Sequence, residues 1–253
     1  MTELFIDCTR GLAGDMLSAA LLELFPDPDI ILNLLNEIGI PGIRFAAERN
    51  TCYGIAGTHM SVQYHGVEED EEMLVSSPEK RRCHSDDILK IIDCIDVPES
   101  VREDVRVTYQ YITDAEAIVH GTPPGYVHFH ELGSMDALAD ISAVCMMLHL
   151  LKPVRITVSP ICTGYGSFRC RRGVLPVPAP ATAMILRGMP SFAGEIEGEM
   201  CTPTGTALVK HLADDYGYQP LMTVQKIGYG FGKKDYGQLS CVRVCMGKQG
   251  NML

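Results

Sequence analysis

Leu4-Phe5-Ile6-Asp7-Cys8, then Gly11-Leu12-Ala13-Gly14, then Asp15 to Phe25, is the stretch on which the fold class turns. Its first part is an apolar run of strand length. Its second is a glycine turn, and its third repeats apolar residues at helical spacing, so the three together read as a β-loop-α unit. Working outward, Asp27 to Ile38 reads as a second helix stopped by Gly39 and Pro41. Ile43 to Arg49 and His59 to Gln63 read as strands around the turn Gly54 to Gly57. Val67 to Arg82 is acidic, then basic, and poor in apolar residues, which predicts a flexible linker or loop.

Beyond it, Ser85 to Cys94 and Glu99 to His120 read as helices, the second ended by Gly121 and Pro123-Pro124. Val154 to Ser159 is a strand, and Pro176-Val177-Pro178-Ala179-Pro180 is an extended lead into a short helix, Ala181 to Arg187. A helix follows Thr206, and strands at about Leu221 to Ile227 and Cys241 to Cys245 complete the pattern. Strands alternating with helices predict an α/β protein, a mixed sheet flanked by helices. The expected division is residues 1–66 as a smaller N-terminal α/β subdomain, 67–84 as linker or loop, and 85–253 as the main α/β domain.

Composition narrows the function classes. With 253 residues and 46% hydrophobic content the chain can bury a large core. A formal net charge of −11 argues against non-specific nucleic-acid binding, which needs clustered Lys and Arg. No signal peptide and no apolar run of membrane-spanning length is present, so a cytoplasmic protein with no membrane partner is expected. The ten cysteines include no C-x-x-C pair, which predicts reduced, mostly buried thiols.

The densest chemistry lies in His128-Phe129-His130-Glu131-Leu132-Gly133-Ser134-Met135-Asp136, followed by Asp140. On an extended segment His128 and His130 share a face, about 7 Å apart. Ser134 is an N-cap candidate for a helix through Leu151, on which Asp136 and Asp140 stand at i and i+4. Mixed imidazole and carboxylate ligands suit nickel, zinc, iron or manganese. Helix capping by the acids, with the histidines as ordinary core or surface residues, explains the same pattern, and the spacing leaves both readings open.

Two other segments suggest an anionic ligand. The turn Gly11 to Gly14 with Asp15 offers helix-start amides, and Thr202-Pro203-Thr204-Gly205-Thr206 has the composition of an anion nest. Arg169 and Arg172 carry guanidinium forks suited to phosphate or carboxylate. A capping turn and a solvated charged loop account for these segments equally well. Gly164-Tyr165-Gly166 and Gly228-Tyr229-Gly230-Phe231-Gly232 permit close backbone approach, at a pocket or in a turn. The absence of Gly-x-Ser-x-Gly argues against a hydrolase triad.

Taken as a set, these segments resemble one family, the LarC nickel-insertion proteins. The similar pieces are Asp7-Cys8 with Gly11 to Met16, Ala115-Glu116-Ala117 with Val119-His120-Gly121, the His128 to Asp140 run, Leu175 to Thr182, Thr202 to Gly205, and Gly228 to Gly232. The resemblance implies insertion of nickel into pyridinium-3,5-bisthiocarboxylic acid mononucleotide, giving the nickel-pincer cofactor of lactate racemase with CTP consumed, a metal-inserting lyase reaction. The roles expected on this reading are metal delivery by His128, His130 and Glu131, with Asp136 or Asp140 as a further ligand or as orienters of the imidazoles. Gly11, Gly14, Asp15, Arg169, Arg172, Thr202, Thr204 and Gly205 are the implied substrate contacts.

Family members resemble a two-part protein whose C-terminal part binds CTP with a divalent cation and is tied to oligomerisation, and this chain corresponds to the first part. A separately supplied CTP-binding part, and a homo-oligomer, are therefore expected partners. The family's linker is often histidine-rich, whereas Val67 to His84 here offers only Cys83 and His84. Where the family usually has His before Gly173, this chain has Arg172. Two rival readings are a nickel or cofactor carrier without turnover, and a metal-dependent hydrolase in which the cluster activates water.

Overall fold

The computed structural model describes residues 1–68, 83–129, 135–170 and 173–250. In chain order the longer strands are β1 (Thr2–Arg10), β2 (Ile43–Cys52) and β3 (Ile55–Tyr64), followed by the short β4 (Val67–Glu68), β5 (Cys83–His84) and β6 (His128–Phe129). Then come β7 (Arg155–Val158), β8 (Ile161–Cys162), β9 (Ser167–Cys170), β10 (Gly173–Pro176), β11 (Ser191–Phe192) and β12 (Asp215–Tyr216). The last two are β13 (Met222–Phe231) and β14 (Cys241–Gln249). The helices are α1 (Gly14–Leu22), α2 (Pro28–Glu37), α3 (Ser85–Cys94), α4 (Glu99–His120), α5 (Met135–Leu151), α6 (Pro180–Ile185) and α7 (Pro203–Leu212).

The architecture is α/β, with a large mixed sheet flanked by helices. Its strand order is β12-β7-β1-β14-β13-β3-β2, with β4 paired to β3. β12, β7 and β1 run parallel to one another, β14 is antiparallel to both β1 and β13, and β13 meets β3 in parallel. Strands from both ends of the chain thus share one sheet, with β14 at the middle of that order and β1 beside it.

Strand alternation sorts β1 into two chemistries. Leu4, Ile6 and Cys8 are fully buried in the core shared with α1 and α5, while Phe5, Asp7 and Thr9 line a cleft on the other face. α5 is buried from Ala137 to Leu148 and apolar there except for Asp140 and Ser142, as a helix covered on every side by other elements must largely be. It packs between α1 and α4, and each fully buried aliphatic side chain in it contributes about 1.5–3 kcal/mol. α4 ends as its sequence requires, with Gly121 at φ 61 accepting the left-handed turn.

The glycine run near the end of the chain is a strand. Gly228 and Gly230 lie on one face of β13, and α1 rests directly on that strip. A methyl at Gly228 would stand 2.0 Å from the Ala20 carbonyl oxygen, and one at Gly230 would stand 1.8 Å from that of Met16. Glu23 anchors the far end of α1, where its carboxylate accepts from Thr58 Oγ1 at 2.7 Å and from the Tyr229 N–H at 2.9 Å. Bare backbone on β13 therefore sets the height of α1 above the sheet, and with it the position of Asp15.

The eight described cysteines are free, and six of them are buried. Burial pushes the Cys8 thiol well up and Cys241 up to about 11, so these are protonated, inert groups. No helix among the described residues is long and apolar enough to cross a membrane. Of the segment expected to be a linker, β4 and β5 are described, and residues 69–82 lie outside the described residues.

Candidate functional site

The turn Gly11–Ala13 reverses the chain from β1 into α1, and the first turn of α1 meets α5 without a side chain between them. A methyl at Gly14 would stand 2.5 Å from Asp140 Oδ2, so only glycine lets that carboxyl reach the start of α1. The Asp15 backbone N–H donates to the Asp140 carboxyl. Oδ1 of the same group is buried and has no hydrogen-bond partner among the described residues. A buried acceptor left in that state costs about 1–3 kcal/mol.

Asp15, Asp136, Asp140 and Lys233 form one electrostatic group. Burial pushes the Asp140 carboxyl well above the usual carboxylate range, and the neighbouring Asp136 and Asp15 charges push it further. Burial also raises Asp15, although His59, the Met16 N–H and Lys233 pull the other way. Asp15 Oδ1 accepts that Met16 N–H at 2.8 Å. Burial works against the Lys233 charge, but Glu68, Asp136 and Asp15 outweigh it and hold the ammonium above its ordinary value. Lys233 Nζ lies 3.0 Å from Glu68 Oε1.

His59 stands beside this group on β3. Its Nδ1 donates to the Phe231 carbonyl at 3.0 Å, which leaves Nε2 facing Glu68 Oε1 at 3.6 Å. The cluster thus combines α1, α5, the β3–β4 hairpin and the turn after β13. It gathers buried acids, whose ionisation burial and mutual repulsion oppose, around one ammonium. Among the described residues, no three His, Cys, Asp or Glu side chains are close enough together to enclose a metal ion.

Of the five residues expected to handle metal, Asp136 and Asp140 join this group. His128 lies in β6, where its Cα is the register partner of His84 in β5. His130 and Glu131 lie outside the described residues.

Asp15 and Gly14, expected as substrate contacts, meet Asp140. Gly11, at φ 124, is packed close to Met16, the Met200 carbonyl and Ser240. Thr202 caps α7, its Oγ1 accepting from the Gly205 N–H at 3.2 Å, while its own N–H donates to the Leu12 carbonyl at 2.9 Å. Gly205 sits directly under Ala13, and Thr204 is buried. The start of α7 is therefore covered by the turn that precedes α1. Arg169 is exposed on the β9–β10 hairpin, and Arg172 lies outside the described residues.

His59, Glu68 and Lys233 did not stand out in the sequence. His59 occupies an ordinary alternating strand, and Glu68 belongs to a long acidic run. The one available signal was the position of Lys233 directly after the Gly228 to Gly232 run.

A family model described as nickel insertion protein matches residues 4–252. A pyridinium-3,5-bisthiocarboxylic acid mononucleotide nickel insertion protein of Staphylococcus epidermidis is 35% identical over 241 residues, covering 95% of this chain and 58% of its own length. Proteins of the same name from Nocardioides sp. and Acetivibrio thermocellus are 36% and 34% identical, covering 93% and 98% of this chain and 57% and 60% of their own lengths. The chain spans about three fifths of the length of these curated relatives. No solved structure matches it. With a family model that runs over nearly every residue, and relatives at about a third identity along the same span, the chain belongs to the nickel insertion protein family.

Proposed function

We propose that this chain is the metal-handling part of an enzyme that inserts nickel into pyridinium-3,5-bisthiocarboxylic acid mononucleotide to form the nickel-pincer cofactor of lactate racemase. The observation that carries this reading is the Asp140 carboxyl, buried against Asp15 and Asp136 with one oxygen unpartnered among the described residues. Burying acid on acid costs stability, and a divalent cation arriving as substrate repays it by displacing the protons. The substrate's identity rests on the names of the relatives.

In this reading Asp136 and Asp140 offer oxygen ligands, and His128, His130 and Glu131 supply the nitrogen and further oxygen that nickel prefers. Lys233, paired with Glu68, balances the acids while the metal is away. The reaction is a chelatase step of the metal-inserting lyase class. It requires CTP and a divalent cation on a C-terminal part of the kind the family's two-part members carry, in a cytoplasmic setting.

Calorimetric titration with nickel tests the ligand set. His128→Ala, His130→Ala and Asp140→Ala should each weaken binding by about 10–100-fold, with circular dichroism unchanged. The same variants should lose insertion when the C-terminal part of a relative, CTP and substrate are added. Unchanged nickel affinity in all three variants would refute the site, and no insertion by the wild-type pair would refute the activity.

A further inference from the structure

Glu116 and His120 stand one helical turn apart near the end of α4, outside the group formed by Asp15, Asp136, Asp140 and Lys233. His120 Nε2 lies 2.9 Å from Glu116 Oε2. A carboxylate can only accept, so Nε2 carries the hydrogen and the neutral ring keeps its lone pair on Nδ1. A ring oriented in this way by a carboxylate is a common form of metal-binding imidazole. It is equally an ordinary i,i+4 helix pair, so position has to decide between the two.

α4 and α5 pack side by side and antiparallel, since Ser100 Oγ near the start of α4 is 3.3 Å from His149 Nδ1 near the end of α5. Glu116 lies about 24 Å along α4 from Ser100, and Asp136 about 20 Å along α5 from His149. The pair is thereby carried past the first turn of α5, with Glu116 about one turn and His120 about two turns beyond the level of Asp136. A second constraint agrees. After Gly121 the chain folds back on itself, with the Thr122 N–H donating to the Ala117 carbonyl, that of Tyr126 to Pro123 and that of Val127 to Pro124, at 3.1, 2.9 and 3.1 Å. β6, which carries His128, therefore begins close to the end of α4.

Exposure falls along this path. The His120 side chain is 29% exposed and that of Glu116 15%, while Asp140 is 5% exposed. A divalent cation bound for Asp140 must shed water before it reaches a buried carboxyl, and a partly exposed imidazole on the way offers a donor to exchange for that water. On the other side of the acids stand His59 and Glu68. There the Lys233 ammonium lies 3.0 Å from Glu68 Oε1 and repels an approaching cation.

We propose that His120 is the imidazole that takes up incoming nickel and passes it to the acids at the start of α5, with Glu116 as its positioning residue. This rests on the nickel-insertion reading above and adds to it the side from which the metal arrives.

The whole chain, isotope-labelled in its histidine rings, is titrated with nickel chloride and followed by NMR, the His120 signal being identified by its loss in His120→Gln. Below one equivalent of nickel the His120 signal should broaden, while His149 and His211, which pair with Ser100 and Asp104 towards the far end of α4, stay sharp. Transfer of nickel to the chain from a chelating dye should slow about tenfold in His120→Gln and in Glu116→Ala, with circular dichroism unchanged. A pair that only braced the helix would lower Tm in these variants and leave both readouts untouched, which would overturn the proposal. A His120 signal that stays sharp at saturating nickel, or uptake at the wild-type rate in both variants, would overturn it as well; nickel binding that still depends on His128 and Asp140 would then leave the proposed function standing. Broadening of His120 and slowed uptake, in a chain that never supports insertion, would instead sustain the nickel route and remove the function.

Discussion

Replacing Gly230 by Ala should displace α1 from the sheet. The added methyl would stand 1.8 Å from the Met16 carbonyl oxygen and 2.7 Å from the Ala20 nitrogen. The first contact is about 1.5 Å short of ordinary van der Waals separation, and both atoms belong to backbone, so no side chain can turn aside. Relief requires α1 to rise by roughly that amount along a helix whose residues from Met16 to Leu22 are all buried. Overpacking of this kind costs about 3 kcal/mol, at the upper end of the usual range, because the whole helix must move. For a chain of this size that corresponds to a fall in Tm of roughly 6–12 °C. Asp15 rides on the same helix, so nickel affinity should fall in whatever fraction remains folded.

Differential scanning calorimetry with and without nickel measures both effects. Gly125→Ala is the control, since its methyl meets nothing within 4 Å and its φ is not positive. A Gly230→Ala chain melting within about 1 °C of the Gly125→Ala chain would refute the argument that bare backbone on β13 sets the height of α1.

Two further outcomes follow from the same geometry. Asp140→Asn should stabilise the chain at pH 8, because the amide removes a buried charge that Asp136 and Asp15 repel, while abolishing its contribution to nickel binding. The Asp140 pKa is raised in the folded state, so its contribution is favourable at low pH and is lost as pH rises towards the folded value; the advantage of Asn should therefore shrink as pH falls towards 4, and thermal melts from pH 4 to 8 with no such trend would contradict the assigned burial. Thr202→Ala should cost about 1 kcal/mol through loss of the α7 cap, and substrate titration should show unchanged affinity if the covered helix start has no ligand role.

Much of the fold was readable residue by residue. The β1-turn-α1 unit, the span of α4 to its Gly121 stop, and the helix carrying Asp136 and Asp140 all follow from periodicity and end signals, which are local properties of the chain. The glycine run from Gly228 was readable only as permission for close approach. That it is the end of a long strand lying under α1 depends on a partner some two hundred residues away. The Thr202 to Thr206 composition suits a cap and an anion nest alike. Packing of Leu12 and Ala13 over it is what distinguishes them.

The order of residues alone was enough to establish an α/β chain, a dense His and carboxylate segment, and membership of a nickel-handling family, because strand and helix periods and short motifs are written in neighbouring positions. The tertiary structure alone decided that Asp15 and Asp140 meet across Gly14, that Lys233, Glu68 and His59 stand with them, and that Phe192, Tyr218 and Arg243 form a separate cleft. The reason is that a parallel pairing such as β1 with β7, or β13 with β3, joins segments 150 residues or more apart. Burial then changes what each side chain does. An aspartate that would be an ordinary exposed acid on an isolated helix becomes, beneath α1, a carboxyl that burial and its acidic neighbours push well above the usual carboxylate range.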